Sequence, residues 1–210
     1  MKITKFEQSG FIIESEKGFR LAIDIGNKTP LEKLEGVTCD AILISHIHGD
    51  HFSLEQIKKL NPKKLYLNKE CIDVLTELLG EETLPFEIVR VKVGDTLAID
   101  DFSIELFNVD HGPNVSAPVL ENFGFLINID DQNIYFAGDM FYESEIDVSD
   151  LEVDYALIPV GTFYTFGPEE AFQFIQKFCK IGKVIPMHYD KNPETRDQFL
   201  KLAKGTFEVE

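Results

Sequence analysis

Ser45-His46-Ile47-His48-Gly49-Asp50-His51 decides how this sequence is read. The stretch follows an apolar run, Ala41-Ile42-Leu43-Ile44, which reads as a buried strand. If the backbone is still extended at His46 and His48, the two imidazoles point to the same side. Asp50 and His51 fall in the turn before a predicted helix and aim at a different, nearby point. Two imidazoles plus a carboxylate–imidazole pair suit two adjacent cations better than one. With no cysteine close by, the donors are nitrogen and oxygen, a set that zinc accepts well. A lone histidine is usually a core or surface residue with a private hydrogen bond. That alternative explains neither the spacing here nor the strand in front of it.

The chain has five histidines, so two lie outside this stretch. His111 stands in Asn108-Val109-Asp110-His111-Gly112, where a predicted strand gives way to an irregular loop. His188 ends the apolar run Ile185-Pro186-Met187. Asp139 closes Phe136-Ala137-Gly138. An aspartate after glycine is ordinarily a turn residue, but all these groups fall at strand ends, where side chains are free and the backbone on one side is rigid. The five histidines with Asp50 and Asp139 are therefore predicted to bind metal.

Further out, the first 25 residues read as an antiparallel meander of three strands, closed by Asp24. Pro30 opens a short helix over 30–35. Ser53-Leu54-Glu55-Gln56 fits a capping box at the start of a helix that ends near Asn61-Pro62. A strand at 64–67 and a helix at 69–79, stopped by Gly80, follow. Strands are expected at 87–92, 96–100, 102–109, 123–130 and 133–138, with an irregular stretch over 111–122. An acidic stretch over 140–153 has no clear assignment. A strand at 154–159, a helix from Gly167-Pro168 to about Lys180, a strand at 183–188 and a helix opened by Asn192-Pro193 complete the chain. Each half is thus a meander followed by β–α units. One α/β domain over 1–210, with two mixed sheets packed face to face and helices outside, accommodates that order.

Composition narrows the partners. The formal charge is −17, with no Lys/Arg run beyond Lys58-Lys59 and Lys63-Lys64, so a nucleic-acid partner is not expected. Cys39, Cys71 and Cys179 are widely spaced, which suits a reducing cytoplasm. Neither a signal peptide nor a membrane-length apolar run is visible. The expected partner is a small-molecule substrate, and the expected location cytoplasmic.

These residues carry a resemblance to the metallo-β-lactamase superfamily of metal-dependent hydrolases, over essentially the whole chain. The most specific match is the H-x-H-x-D-H stretch at His46–His51. His111, Gly138-Asp139 and His188 appear in the family's order. Pro159-Val160-Gly161, Gly167-Pro168-Glu169-Glu170-Ala171 and Ile185-Pro186-Met187-His188-Tyr189 look like a branch of small hydrolases neighbouring the sugar-phosphate lactonases. The resemblance implies a four-layer αββα sandwich with metals at one edge. It implies that His46, His48 and His111 hold a first metal, that Asp50, His51 and His188 hold a second, and that Asp139 bridges them. Asp24 matches a position that orients a ligand histidine. Two departures stand out. Met140-Phe141-Tyr142 follows the bridging aspartate where many relatives have Thr, and the loop after His111 carries Pro113, Asn114, Pro118 and Glu121.

The expected cofactors are two divalent ions, zinc foremost, with manganese or iron as alternatives. The expected mechanism is attack by a metal-bridged hydroxide on an ester, lactone or phosphodiester, with Asp50 as proton carrier. A ribonuclease or phosphodiesterase, an iron redox enzyme on the same scaffold and a non-catalytic metal-binding module are the competing readings. Phe163, Tyr164, Phe166 and Tyr189 are candidates to line a pocket, but aromatics of this kind are more often core. No substrate-binding residue is assigned.

Overall fold

The computed structural model describes residues 1–112, 119–141 and 146–210. Pro113, Asn114 and Pro118 of the expected loop, and Tyr142 of the acidic stretch, lie outside the described residues. The chain divides into two compact units, Met1–Asp95 with Val119–Glu121, and Thr96–Pro118 with Asn122–Glu210.

The first unit is a six-stranded sheet in sequence order: β1 (Lys2–Lys5), β2 (Phe11–Glu14), β3 (Arg20–Ile23), β4 (Ala41–Leu43), β5 (Lys64–Leu67) and β6 (Glu87–Arg90). The β1–β3 strands form the expected antiparallel meander, and β3–β6 run parallel. The change follows from the connections, because parallel neighbours need a long crossover. Here the crossovers are a 3₁₀ turn at Leu31–Leu34, helix α1 (Leu54–Leu60) and helix α2 (Lys69–Leu79). Ile12, Ala22, Ile42 and Leu65 from one face of the sheet join Ile57 and Leu60 of α1 and Cys71 and Leu75 of α2 in one buried cluster. Burying each Leu or Ile side chain of this kind stabilises by about 1.5–3 kcal/mol. The alternate residues Phe11, Ile13, Leu21, Ile23 and Leu43 are buried too, as the near-continuous apolar sequence of parallel strands requires.

The helix ends show where local rules held. Asn68 caps α2, its side chain accepting from the Cys71 N–H at 2.7 Å, and Gly80 ends it at φ 55°. The expected capping box on α1 does not form. Ser53 is the N-cap residue but makes no side-chain cap bond. Its hydroxyl donates instead to the Gln56 side chain, and Gln56 Nε2 donates to the Thr29 carbonyl at 3.1 Å. Gln56 is buried, so it binds the neighbouring loop rather than reaching back along its own helix.

The second unit is a seven-stranded sheet, ordered β13-β12-β11-β10-β9-β8-β7. Its strands are β7 (Thr96–Ile99), β8 (Phe102–Asn108), β9 (Phe123–Ile129), β10 (Gln132–Phe136), β11 (Glu152–Pro159), β12 (Lys180–Met187) and β13 (Glu208–Val209). The first four pair antiparallel and the last four parallel. Helices α3 (Pro168–Ile175) and α4 (Pro193–Ala203) provide the later crossovers. Helix α3 stops at Ile175, short of the expected Lys180. Lys177 and Phe178 turn into tighter bonds with the Phe174 and Ile175 carbonyls, and the Phe178 ring lies edge-on to Tyr135 at 5.1 Å. Aromatic packing outweighs helix propensity there. The two-residue β13 had no sequence signal. The α/β class with two mixed sheets is as expected.

Candidate metal centre

In the first unit, the ligand stretch begins two residues past β4 and is pinned at several points. Asn27 N–H donates to the Gly49 carbonyl at 2.8 Å, and His51 and Phe52 N–H both donate to the His48 carbonyl, at 2.9 and 2.8 Å. A Cβ at Gly26 would fall 2.1 Å from the Asp50 carbonyl carbon. Only glycine lets the loop after β3 approach that peptide so closely.

Asp24 organises the histidines. It sits just past β3 with φ 49°, a left-handed conformation that aspartate tolerates better than most residues. Its fully buried carboxylate accepts from Ser45 N–H at 2.8 Å, Ser45 Oγ–H at 2.5 Å and His51 Nδ1–H at 2.8 Å. Ser45 Oγ is also 2.9 Å from His46 Nδ1. A carboxylate can only accept, so the one hydroxyl proton of Ser45 goes to Asp24, and Ser45 accepts from His46 Nδ1–H. One carboxylate thus sets the tautomers of two histidines. His51 directly, and His46 through Ser45, each carry the proton on Nδ1 and the lone pair on Nε2. That is the form in which imidazole ligates metal. Asp24, His46 and His51 offer atoms within 4.8 Å of one another. The Asp24 Oδ2 atom already takes two protons, which makes it a positioning group rather than a ligand.

His46 Nε2 and His48 Nδ1 are 3.1 Å apart. Two nitrogens on a tetrahedral zinc at about 2.0–2.1 Å would be roughly 3.3 Å apart, so this pair fits one edge of such a site. Gln8 Nε2 donates to Asp50 Oδ2 at 3.1 Å and orients that carboxylate.

The second unit assembles its donors from three strand ends. His111 follows β8, where Val109 N–H donates to the Asn122 carbonyl at 2.9 Å and Gly112 N–H to Asp110 Oδ1 at 2.7 Å. Asp139 follows Gly138, whose φ of 61° and 2.4 Å approach of a would-be Cβ to the Phe123 carbonyl oxygen demand glycine. Asn122 Nδ2 donates to the Asp139 carbonyl at 3.0 Å. His188 lies one residue past β12 at φ 59°, and its carbonyl oxygen would be 1.8 Å from a Cβ at Gly161. Left-handed backbone at a non-glycine strand end is costly and is held only where its surroundings fix it. These supports bring His188 Nε2 within 3.1 Å, and His111 Nε2 within 3.5 Å, of one oxygen, Asp139 Oδ2. A carboxylate oxygen shared by two imidazoles is the arrangement a bridging ligand needs.

The donor set suits a hard or borderline divalent ion. Cys39 and Cys71 do not compete, being buried within the apolar cluster of the first unit. Burial first, and then Asp40, push the Cys39 thiol up to about 12. Burial likewise raises Cys71, with Asp24 adding to it. Burial also raises the Tyr189 hydroxyl, next to His188. The sequence had pointed to every ligand candidate and to Asp24. It had not pointed to Ser45 as a proton relay, although Ser45 opens the quoted stretch, nor to Gln8 or Asn122, whose local sequence carries no signal. Phe166 is fully buried and Phe163 is 64% exposed, so the four candidate aromatics do not behave as one group.

The family profile described as "Beta-lactamase superfamily domain" matches residues 2–188. A "UPF0173 metal-dependent hydrolase" of Pelotomaculum thermopropionicum is 32% identical over 92% of this chain and 86% of its own length. Among solved structures, Igni18, a metallo hydrolase from Ignicoccus hospitalis, is similar with a TM-score of 0.74, 25% identity, and coverage of 99% of this chain and 93% of its own. A metal-dependent hydrolase structure from Parabacteroides distasonis shares the fold at a TM-score of 0.77 and 21% identity, over 99% of this chain and 90% of its own. Among the described residues, no helix is long and apolar enough to cross a membrane.

Proposed function

The chain belongs to the beta-lactamase superfamily domain family of the metallo-β-lactamase superfamily, and from that premise we propose that it is a metal-dependent hydrolase. The candidate donors suit two divalent ions within a single catalytic domain. As the family resemblance implies, His46, His48 and His111 would hold a first ion, Asp50, His51 and His188 would hold a second, and Asp139 would serve both. Zinc is the first candidate for the nitrogen and oxygen donors. The observation that carries the reading is the Asp24–Ser45 network, which commits His46 and His51 to the metal-binding tautomer.

Such ions, when bound, acidify a water and polarise the oxygen of a carbonyl or phosphoryl group. The chain's own residues do the rest. Asp24 and Ser45 hold two imidazoles in place with the proton on Nδ1 and Nε2 left as the donor atom. Gln8 fixes the Asp50 carboxylate, which takes the proton lost by water and returns it to the leaving oxygen. Water adds across the scissile bond, so that an ester gives an acid and an alcohol, a lactone a single hydroxy acid, and a phosphodiester a phosphate monoester and an alcohol. The substrate is a small ester, lactone or phosphodiester, and no nucleic-acid partner or membrane is invoked.

The test is a panel of lactones, thioesters, phosphodiesters and single-stranded RNA, assayed on protein stripped by chelation and then reloaded with zinc or manganese. Hydrolysis of one small-molecule class that vanishes on chelation and returns on reloading is the expected result. Turnover unaffected by chelation, or restricted to RNA, would overturn it.

A further inference from the structure

The second unit carries a cavity of about 400 Å³. Two of its lining segments adjoin ligand candidates along the chain or through a backbone contact. Phe141 lies two residues past Asp139. The Gly161–Gly167 loop begins where Gly161 abuts the His188 carbonyl, and it is tied down by Asn192 Nδ2 to the Gly161 carbonyl at 3.1 Å and by Phe166 N–H to the Met140 carbonyl at 3.1 Å. Thr162 and Phe163 both adopt left-handed backbone, at φ 64° and 62°. That double turn holds the Phe163 ring out at the cavity, 64% exposed. The ring meets Tyr164 edge-on at 4.7 Å and leaves the rest of its surface exposed at the cavity.

The lining has a definite charge character. Phe141 and Phe163 supply aromatic rings, Thr162 and Thr165 hydroxyls, and Glu169 and Glu170 carboxylates, with Gln198 of α4 at the edge. No lysine, arginine or histidine is among the described lining residues. The Lys191 ammonium sits over the Tyr164 ring instead, at 5.5 Å. Glu170 Oε2 accepts the Gly167 N–H at 2.6 Å, which sets a carboxylate at the start of α3. Glu169 is exposed. Aromatic faces attract cations, and two carboxylates add to that attraction while repelling phosphate.

We propose that this cavity takes the non-reacting part of the substrate, and that it selects an organic ammonium group over an anionic one. Resting on the hydrolase reading above, it narrows the substrate to an ester or lactone with a positively charged tail, and it makes Phe163 and Glu169 specificity-determining residues.

Benzyltrimethylammonium and benzyl phosphate, titrated calorimetrically into chelator-stripped full-length protein, test this without any turnover. The cation should bind at least about tenfold tighter than the phosphate. Phe163→Ala should weaken its binding about tenfold, and Glu169→Lys should abolish the preference. Both positions are exposed, and circular dichroism would verify folding. Equal or tighter binding of benzyl phosphate, no measurable binding of the cation, or binding indifferent to both substitutions would overturn the proposal. Because stripped protein is used, a missing hydrolase activity with cation binding intact would count against the hydrolase reading alone.

Discussion

The two units supply metal donors in opposite ways. The first concentrates His46, His48, Asp50 and His51 in one loop and orients two of them, His46 and His51, from a single buried carboxylate, Asp24. The second draws His111, Asp139 and His188 from three strand ends and supports them at several points: Asn122 behind His111 and Asp139, Gly138 before Asp139, and Gly161 against His188. A single brace makes a cluster that one substitution dismantles. Distributed bracing makes one that loses a part at a time. The contrast also separates two kinds of information, because a compact motif is written in consecutive residues and a dispersed one is written in topology.

The largest effect should come from breaking the single brace. Asp24→Ala removes the acceptor for three buried donors. It should cost about 3–5 kcal/mol in denaturant unfolding and weaken zinc binding about 10–100-fold. Its counterpart in the second unit, Asn122→Ala, removes one bond to the Asp139 carbonyl and should cost about 1 kcal/mol. Equal costs for the two would erase the contrast.

Glycine packing should matter equally in both units. Gly26→Ala puts a methyl 2.1 Å from the Asp50 carbonyl carbon, and Gly161→Ala puts one 1.8 Å from the His188 oxygen. Each should destabilise by about 2 kcal/mol or more, with a matching loss of metal affinity. A fully stable variant of either kind would mean that the loop can move aside.

Alkaline pH should act on the first unit. The Cys39 thiol, held up to about 12 against an ordinary 9.0, stays protonated in the native state after the unfolded chain has ionised. The unfolded state then binds fewer protons, so stability is complete below about pH 9 and falls as pH rises towards 12. The slope is at most about 1.4 kcal/mol per pH unit for each such thiol, and Cys71 shifts the same way. Exposed Cys179 in the second unit should react with a thiol reagent in native protein at pH 8, while Cys39 and Cys71 should not. Melting temperature against pH, and a count of fast-reacting thiols, check both statements. The smallest effect belongs to Gln8→Ala, which frees Asp50 of one bond. It should change stability by less than about 1 kcal/mol and should lower kcat more than it raises KM.

Much of this was legible in the sequence. The strand before Ser45, the helix stopped by Gly80 and every ligand candidate were visible, because apolar periodicity and a contiguous polar motif are local properties. The relay through Ser45 was not, since it depends on Asp24 arriving from a different strand in a left-handed turn. Nor was the failed capping box at Ser53, where a buried loop carbonyl at Thr29 outcompetes the helix for Gln56. His111, Asp139 and His188 were legible as strand ends, but the sharing of one Asp139 oxygen between two imidazoles is a fact of three-dimensional register.

The most direct test is the metal content of the purified chain after stripping and reloading with zinc, alongside Asp139→Ala. If the candidate donors hold two ions, the wild type should retain close to two per chain through gel filtration, and Asp139→Ala should retain clearly fewer. A wild-type chain that retains no stoichiometric metal, or an Asp139→Ala variant that retains as much as the wild type, would contradict it.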